Sequence, residues 1–172
     1  TEGDTLWVDA SNSNLQWVGK KVTGEHSGKV DIAGGYIVFR QDKIQSGEIL
    51  VNMRTITVDD IENPKWNKKL VDHLKNDDFF NTQKFPTARI EILDSKQTNI
   101  DNIFTISANL SIRDKTNSIQ FDIMLDNNFA TGSLIVDRSE FGIKYKSAKF
   151  FDDLGDKLIY DDFNLNFSIF AK

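Results

Sequence analysis

Residues 104–112 read Phe-Thr-Ile-Ser-Ala-Asn-Leu-Ser-Ile, so apolar and polar side chains alternate without interruption. Successive side chains of a β-strand point to opposite faces, and the pattern therefore predicts a strand with one buried and one wet face. The alternation returns over residues 119–125 and 163–169, and in a shorter form over residues 88–92. Sheets with one dry and one wet face are commonly antiparallel. The sequence thus predicts an all-β fold of about eight to ten antiparallel strands.

Two architectures are compatible with so many strands. A closed barrel removes exposed strand edges, whereas a sandwich packs two sheets face to face. The alternation alone barely separates these two. Within the sheet, Gly34-Gly35 predicts a turn, and residues 44–58 predict one long strand with a bulge or bend near Gly47.

One stretch near the middle of the chain does not follow the strand pattern. Asn63 is a good helix cap and Pro64 suits the first helical position. Three apolar residues then recur every four positions, namely Trp66, Leu70 and Leu74. This spacing predicts a short amphipathic helix within a helical insertion around residues 64–80.

An adjacent aromatic pair, Phe79 and Phe80, follows this helix, and Phe85-Pro86 ends any regular structure after it. A helix followed by a bulky aromatic pair suits a cover over one end of a β-structure. The alternative is that both phenylalanines simply complete a core. The sequence leaves these two interpretations open.

Composition narrows the classes of protein. A chain of 172 residues predicts one domain, spanning residues 1–172. The net charge of −5 argues against a nucleic-acid partner, and no run is long and apolar enough to cross a bilayer, so no stable membrane insertion is expected. The absence of cysteine excludes disulfides and thiol chemistry. The chain begins at Thr1 without an initiator methionine, which fits a mature or shortened form.

No catalytic or metal-binding motif stands out. The sequence has no phosphate loop, dinucleotide fingerprint or zinc-ligand spacing. Its two histidines, His26 and His73, are far apart in sequence, and a structural role is the simpler interpretation of each. Four acidic doublets fall at turns and helix starts, where Asp favours local backbone hydrogen bonds: Asp59-Asp60, Asp77-Asp78, Asp152-Asp153 and Asp161-Asp162. We interpret them as capping and solubility features.

Five stretches, in order along nearly the whole chain, together resemble the YceI-like family of lipocalin-like, polyisoprenoid-binding proteins. The most specific is the third. The five are Trp17-x-Gly19-x-Lys21-x-x-Gly24-x-His26-x-Gly28, then Gly47 with Ile56-Thr57-Val58, then His73-Leu74-x-x-x-Asp78-Phe79-Phe80-x-x-x-Lys84-Phe85-Pro86-x-Ala88, then residues 110–116, and finally residues 137–143.

The resemblance implies an extended antiparallel eight-stranded barrel with a long apolar channel. It implies non-catalytic binding, storage or transport of an isoprenoid chain, such as a quinone tail or a polyprenyl phosphate, or of another amphiphile. The implied location is a bacterial periplasm or cell surface. No cofactor is implied beyond a bound isoprenoid lipid or quinone, and a homodimer stays open.

Alternation and resemblance together give a candidate lining for the channel. The inward apolar set is Trp17, Phe39, Ile106, Leu110, Phe121, Ile123 and Phe167, with Phe79 and Phe80 near a mouth or along the wall. His26 and Arg138 are candidates for a polar contact with the ligand head. A salt bridge of Arg138 with Asp137, with Glu140 or at a strand end is the competing interpretation.

Two other functions compete with lipid binding. Thirteen phenylalanines could fill a barrel completely, which would suit a structural or protein-interaction module with a solid aromatic core. An enzyme using the two histidines and nearby carboxylates would instead require these side chains to converge within hydrogen-bonding reach.

Overall fold

A computed structural model describes residues 3–151 and 154–172, so the Asp152-Asp153 doublet lies outside the described residues. Within the described residues the chain forms ten strands and one α-helix, α1 (Pro64–Lys75). The strands are β1 (Asp4–Trp7), β2 (Asn14–Lys21), β3 (Gly24–Lys29), β4 (Asp31–Arg40), β5 (Lys43–Asn52), β6 (Thr87–Gln97), β7 (Ile103–Ile112), β8 (Lys115–Asp126), β9 (Phe129–Asp137) and β10 (Ile159–Phe170). The all-β, antiparallel prediction is confirmed.

All ten strands belong to one curled sheet in the order β1-β4-β5-β6-β7-β8-β9-β10-β2-β3. Ten strands agree with the eight to ten that the alternation predicts, whereas the eight strands implied by the family resemblance are two too few. Eight strands of 8–12 residues form the continuous part of the sheet, and two shorter ones extend it, β1 with 4 residues on β4 and β3 with 6 residues on β2. β3 was hard to predict because its sequence, Gly-Glu-His-Ser-Gly-Lys, has no apolar alternation.

Backbone bonds cover both edges of the curled sheet and give it a lipocalin-like barrel form. The N–H of Trp7 donates to the carbonyl of Lys172 at 2.8 Å, and the N–H of Lys172 donates back at 2.9 Å. This exchange links the end of β1 to the end of β10. At the opposite edge, the N–H groups of Thr57 and Asp59 donate to carbonyls of β3 at 2.8 Å each.

The two ends of the barrel differ. Short connections at residues 41–42, 98–102 and 127–128 form the turn end. The β5–β6 connection, which contains α1, and the long β9–β10 connection lie at the opposite end, which we call the helical end. This end carries the candidate site.

The helix begins as the sequence predicts but ends earlier than residue 80. The side-chain carbonyl of Asn63 accepts from the N–H groups of Lys65 (3.0 Å) and Trp66 (3.3 Å), and Pro64 is the first helical residue. The helix stops at Lys75 because Asn76 and the two aspartates after it favour turns. Among the described residues no helix combines the length and apolarity that a membrane crossing requires.

Two local predictions along β4 and β5 were wrong. Gly34 and Gly35 lie inside β4, not in a turn, and their lack of a side chain allows close packing on β5: a Cβ on Gly35 would lie 2.1 Å from the Glu48 carbonyl oxygen. The long strand expected over residues 44–58 ends at Asn52, whose side chain caps a short 3-10 turn by accepting from the N–H of Arg54. The irregularity expected near Gly47 is confirmed, because the register with β4 shifts between Ile44 and Ser46.

The interior of the barrel divides into two apolar clusters along its axis. One, at the turn end, includes Ile37, Ile106 and Ile123; the other, at the helical end, includes Trp17, Leu110 and Phe79. Phe121 and Phe167 pack against both clusters, with their rings edge to face and 5.7 Å apart between centroids. This pair therefore lies where the two halves of the interior meet.

Candidate ligand-binding cavity

The helical half of the barrel encloses a cavity of about 320 Å³. This volume is in the range of roughly 300–1,000 Å³ that small-molecule sites occupy. Its wall is mostly apolar, with Trp17, Ile90, Leu110 and Leu165 from the strands and Leu74 from α1. Burying apolar surface away from water is favourable, so this mostly apolar wall suits the chain of an apolar molecule.

The interior of the turn half is almost filled, and the wider pocket of about 760 Å³ at this end is shallow and mainly polar, with Arg40, Asp42 and Asn127 in its lining. The interior cavity of this half measures about 60 Å³, and the isoleucines and phenylalanines of six strands line it. Leu15, Val51, Ile90 and Leu165 line both cavities, so the two spaces adjoin. The interior is thus neither a solid core throughout nor one open channel.

The structure divides the predicted lining between these two spaces. Six of the eleven predicted residues line the larger cavity: Trp17, His26, Phe79, Phe80, Leu110 and Arg138. The other five line the small cavity at the turn end: Phe39, Ile106, Phe121, Ile123 and Phe167. All eleven therefore contact the interior, but only the first six lie together.

A cluster of aromatic rings forms the cover of the larger cavity. The His73 ring stands edge-on to Phe79, with centroids 5.0 Å apart, and to Tyr145, with centroids 4.8 Å apart. Phe80 contacts Phe163 of β10 in the same edge-on manner at 6.3 Å. Phe79 is 8% exposed and belongs to the core, whereas Phe80 is only partly buried. The aromatic pair thus has two different environments.

Arg113 attaches this cover to the sheet. Its guanidinium donates to the backbone carbonyls of Asp77 and Phe79 at 3.0 Å each, and to the Asp77 carboxylate at 3.1 Å. Arg113 lies in the β7–β8 turn with a positive φ of 57°. No local sequence pattern indicates this role, because the partner carbonyls are more than thirty residues away.

Arg138 is a buried clamp beneath the same cover. Its guanidinium donates to four backbone carbonyls, those of Ile143 (3.0 Å), Tyr145 (2.8 Å), Ile159 (3.1 Å) and Tyr160 (3.2 Å). Burial lowers its pKa, and the carboxylate of Asp161, 3.9 Å away, opposes that effect. The carbonyl contacts tie the β9–β10 connection to the start of β10.

Of the ion pairs that the sequence left open for Arg138, the one at a strand end is present, with Asp161 near the start of β10 at 3.9 Å, and the one with Asp137 is not formed. Asp137 instead pairs with Lys149, whose Nζ lies 2.7 Å from its carboxylate. Burial would raise the pKa of Asp137, but hydrogen bonds from Lys149 and Ser139 outweigh burial and lower it.

The two histidines pair with different aspartates. His26 Nδ1 lies 2.8 Å from Asp60 Oδ2, and His73 Nε2 lies 3.0 Å from Asp78 Oδ2. The backbone N–H of Ser27 also donates to Asp60. Burial acts to raise the pKa of Asp60, but these hydrogen bonds outweigh it and lower the pKa. Two members of the acidic doublets therefore position imidazole rings at the cavity.

Basic side chains mark the opening of the cavity. Lys20 and Lys21 of β2 line it and are exposed, as is Tyr160 of β10, while Lys146 lines it from the β9–β10 connection. Lys20, Lys21 and Lys146 are absent from the predicted lining. The strand period could have identified Lys21, because it is four positions from Trp17 and therefore on the same, inward face.

Metal-ligating residues do not gather in the part of the chain that the structure describes. Within residues 3–151 and 154–172 no three side chains of the His, Cys, Asp and Glu types come close enough to hold an ion.

A curled antiparallel sheet around an apolar interior, with a helix at one end, defines a lipocalin-like β-barrel protein. The chain belongs to the YceI-like domain family, whose sequence profile matches residues 7–171. No curated protein has a significant sequence match to the chain.

Solved structures share this fold at low sequence identity. BcnA from Burkholderia cenocepacia is 17% identical with a TM-score of 0.77, and the match covers 96% of this chain and 99% of BcnA. A domain from Saccharophagus degradans, described as polyisoprenoid-binding, is 14% identical with a TM-score of 0.69, covering 99% of both chains. The YceI protein of Campylobacter jejuni is 17% identical with a TM-score of 0.59, covering 90% of this chain and 84% of that one.

Proposed function

We propose that this protein binds the apolar chain of an isoprenoid or similar lipid in its larger cavity and stores or carries it without chemical change. The observation that carries the proposal is the apolar cavity of about 320 Å³ at the helical end. Each CH₂ group moved from water into such a space gains about 0.8 kcal/mol. A chain of ten or more carbons therefore gains enough to bind with no covalent step.

The family and the fold support the same proposal. The Saccharophagus degradans domain, described as polyisoprenoid-binding, shares the fold over nearly its whole length. Binding without turnover is favoured by the histidine geometry, since His26 and His73 each pair with a separate aspartate. An enzyme that used both histidines together would need them in one constellation.

Trp17 offers a direct reporter for the test. It lines the cavity, and its indole N–H donates to the Thr57 carbonyl at 3.0 Å. Titration of the delipidated protein with farnesol should change the tryptophan emission in a saturable way. The Trp17→Phe variant should lose this signal while calorimetry still detects binding, because Trp7 and Trp66 are exposed and lie outside the cavity lining.

A second experiment analyses the lipid that the protein retains during purification. Organic extracts of freshly purified protein should contain a long-chain lipid by mass spectrometry, and farnesol should be recovered unchanged after incubation with the protein. Extracts free of lipid, together with no binding of farnesol, would rule out the proposal. Conversion of the probe would instead favour an enzyme.

A further inference from the structure

We infer that the larger cavity selects amphiphiles with an anionic head, a carboxylate or a phosphate, and holds that head at its mouth beside Lys21 and Lys146. The inference rests on the proposed binding of an apolar chain and adds the chemistry of the head group.

The charged side chains of the described lining are all basic. They are Lys20, Lys21, Arg89, Arg138 and Lys146, and no Asp or Glu of the described residues lines the cavity. This is the reverse of the whole chain, which has 26 acidic and 21 strongly basic residues. The local excess of cations therefore does not follow from composition.

Only the lysines are placed to contact a head group. Arg89 is engaged by Glu48 and Glu91 at 2.8 and 2.9 Å. Arg138 is 4% exposed and uses its donors on backbone carbonyls. Lys20 and Lys21 are exposed, and with Lys146 they lie at the opening.

The backbone brings Lys21 and Lys146 to the same strand residue. Lys21 of β2 pairs directly with Ile159 of β10, and the N–H of Ile159 donates to the carbonyl of Lys146 at 3.0 Å. Ile159 itself lines the cavity. The two lysines thus flank one point on the rim.

Lys146 has an uncommon backbone conformation at this rim. Its φ of 50° is in the left-handed region that residues with a side chain seldom adopt. Its Nζ lies 5.2 Å from the centroid of the Tyr145 ring, which itself packs on His73 in the cover. Arg138 fixes this segment through the Tyr145 carbonyl, so the clamp also positions the lysine.

This arrangement suits an anionic head physically. A lysine ammonium offers three donors and forms its strongest hydrogen bonds with carboxylate or phosphate oxygens. With the apolar chain inside and the head at the exposed rim, the anion keeps part of its hydration. The contribution of an exposed pair is modest and screened by salt, so selectivity should fall as ionic strength rises.

Two matched probe pairs test the inference by calorimetry on the delipidated protein: farnesyl phosphate against farnesol, and oleate against oleyl alcohol. Each pair shares one chain and differs at the head. Wild-type protein should bind at least one anionic probe about tenfold more tightly than its neutral partner at low salt. The probe pair that shows the preference identifies phosphate or carboxylate as the head.

The Lys21→Gln/Lys146→Gln double variant should lose this preference while its affinity for the neutral probes stays within about twofold. The control is Arg40→Gln/Lys96→Gln, which removes the same charge at the turn end and should retain the preference. Equal affinity for charged and neutral heads in the wild type, or an equal loss for both in the double variant, would overturn the inference. Failure of every probe to bind the wild type would instead reject the proposed function itself.

Discussion

Asp60 shows how one carboxylate can fix part of the cavity wall. It joins the segment after β5 to β3 by accepting from the Ser27 N–H at 3.1 Å and by contacting His26 at 2.8 Å. Burial opposes the charged form, but these hydrogen bonds prevail and lower the pKa of Asp60 from its ordinary 3.8. A carboxylate whose pKa is lowered on folding stabilises the fold above its unfolded pKa, and this effect is lost as pH falls through the folded pKa.

Asp60→Asn is therefore expected to unfold more easily than wild type at pH 7, by about 1 kcal/mol. The difference between the two proteins should shrink as pH falls below the ordinary 3.8, where wild-type Asp60 also becomes neutral. Urea unfolding at several pH values measures this. Asp59→Asn is the control, since the Asp59 carboxylate accepts from the Thr57 hydroxyl of its own segment and not from β3. A difference that persists at pH 2 would contradict the electrostatic explanation.

Arg138 acts on the same part of the molecule from inside. Arg138→Met keeps the apolar stem but leaves the carbonyls of Ile143, Tyr145 and Ile159 without this donor. We expect a loss of about 3 kcal/mol or more in the free energy of unfolding, because hydrogen bonds from a charged donor contribute about 1.5–3 kcal/mol each. Urea unfolding measures the loss.

Arg54→Met provides the comparison for this prediction. Arg54 is exposed, and its bond to Asn52 involves only the backbone N–H, so the variant should stay within about 0.5 kcal/mol of wild type. Equal effects of the two substitutions would show that Arg138 contributes no more than a surface arginine.

The cover of the cavity contains the aromatic pair for which the sequence left two interpretations open. Phe79 and Phe80 are neighbours, but Phe79 packs between His73 and Tyr145, while Phe80 contacts Phe163. The two interpretations of this pair, core and cover, therefore apply to different residues. Single substitutions should separate them.

Phe79→Ala is expected to destabilise the fold by about 3–5 kcal/mol, as removal of a buried aromatic side chain does. Phe80→Ala should cost clearly less stability and weaken farnesol binding about tenfold, because the lost surface faces the ligand. Urea unfolding and calorimetry on each variant give the two quantities. Similar losses of stability, with binding by the folded Phe80→Ala protein unchanged, would assign both rings to the core.

At the scale of the elements, the strict alternation of β7 and β8 was enough to predict their strands, and Asn63 with Pro64 was enough to place the start of α1. β3 was hard to predict because it is glycine-rich and polar and shows no apolar alternation. Gly35 was misread as a turn because the need for a glycine there comes from Glu48, which lies on another strand.

The candidate site was also predictable only in part, because contacts between segments distant in sequence bring its residues together. Alternation identifies inward strand residues and the family resemblance adds the others, and all eleven line one of the two interior cavities. Alternation gives no depth along the barrel axis, and five of them consequently lie in the nearly filled half. The roles of Arg113 and Lys146 depend on contacts with distant backbone, which no local pattern encodes.

At the scale of the whole molecule, the proposed function requires the ligand to lie inside the larger cavity and not on the outer face of the sheet. Gly19 allows this requirement to be tested with little disturbance of the fold. It lies on the wall of the larger cavity, and a Cβ placed there would meet only the Trp17 ring, at 3.7 and 3.9 Å, which is ordinary contact. A large side chain at this position therefore has room only where a ligand would lie.

Gly19→Phe is expected to fold with a free energy of unfolding close to that of wild type and to bind farnesol about a hundredfold more weakly, because the new ring occupies the apolar volume that the chain would fill. Val18→Phe is the matched control, since the adjacent strand residue points to the opposite face and should leave binding unchanged. Calorimetry with farnesol and urea unfolding give the two readouts. If Gly19→Phe binds as tightly as wild type while Val18→Phe does not, the ligand lies on the outer face of the sheet and not within the barrel.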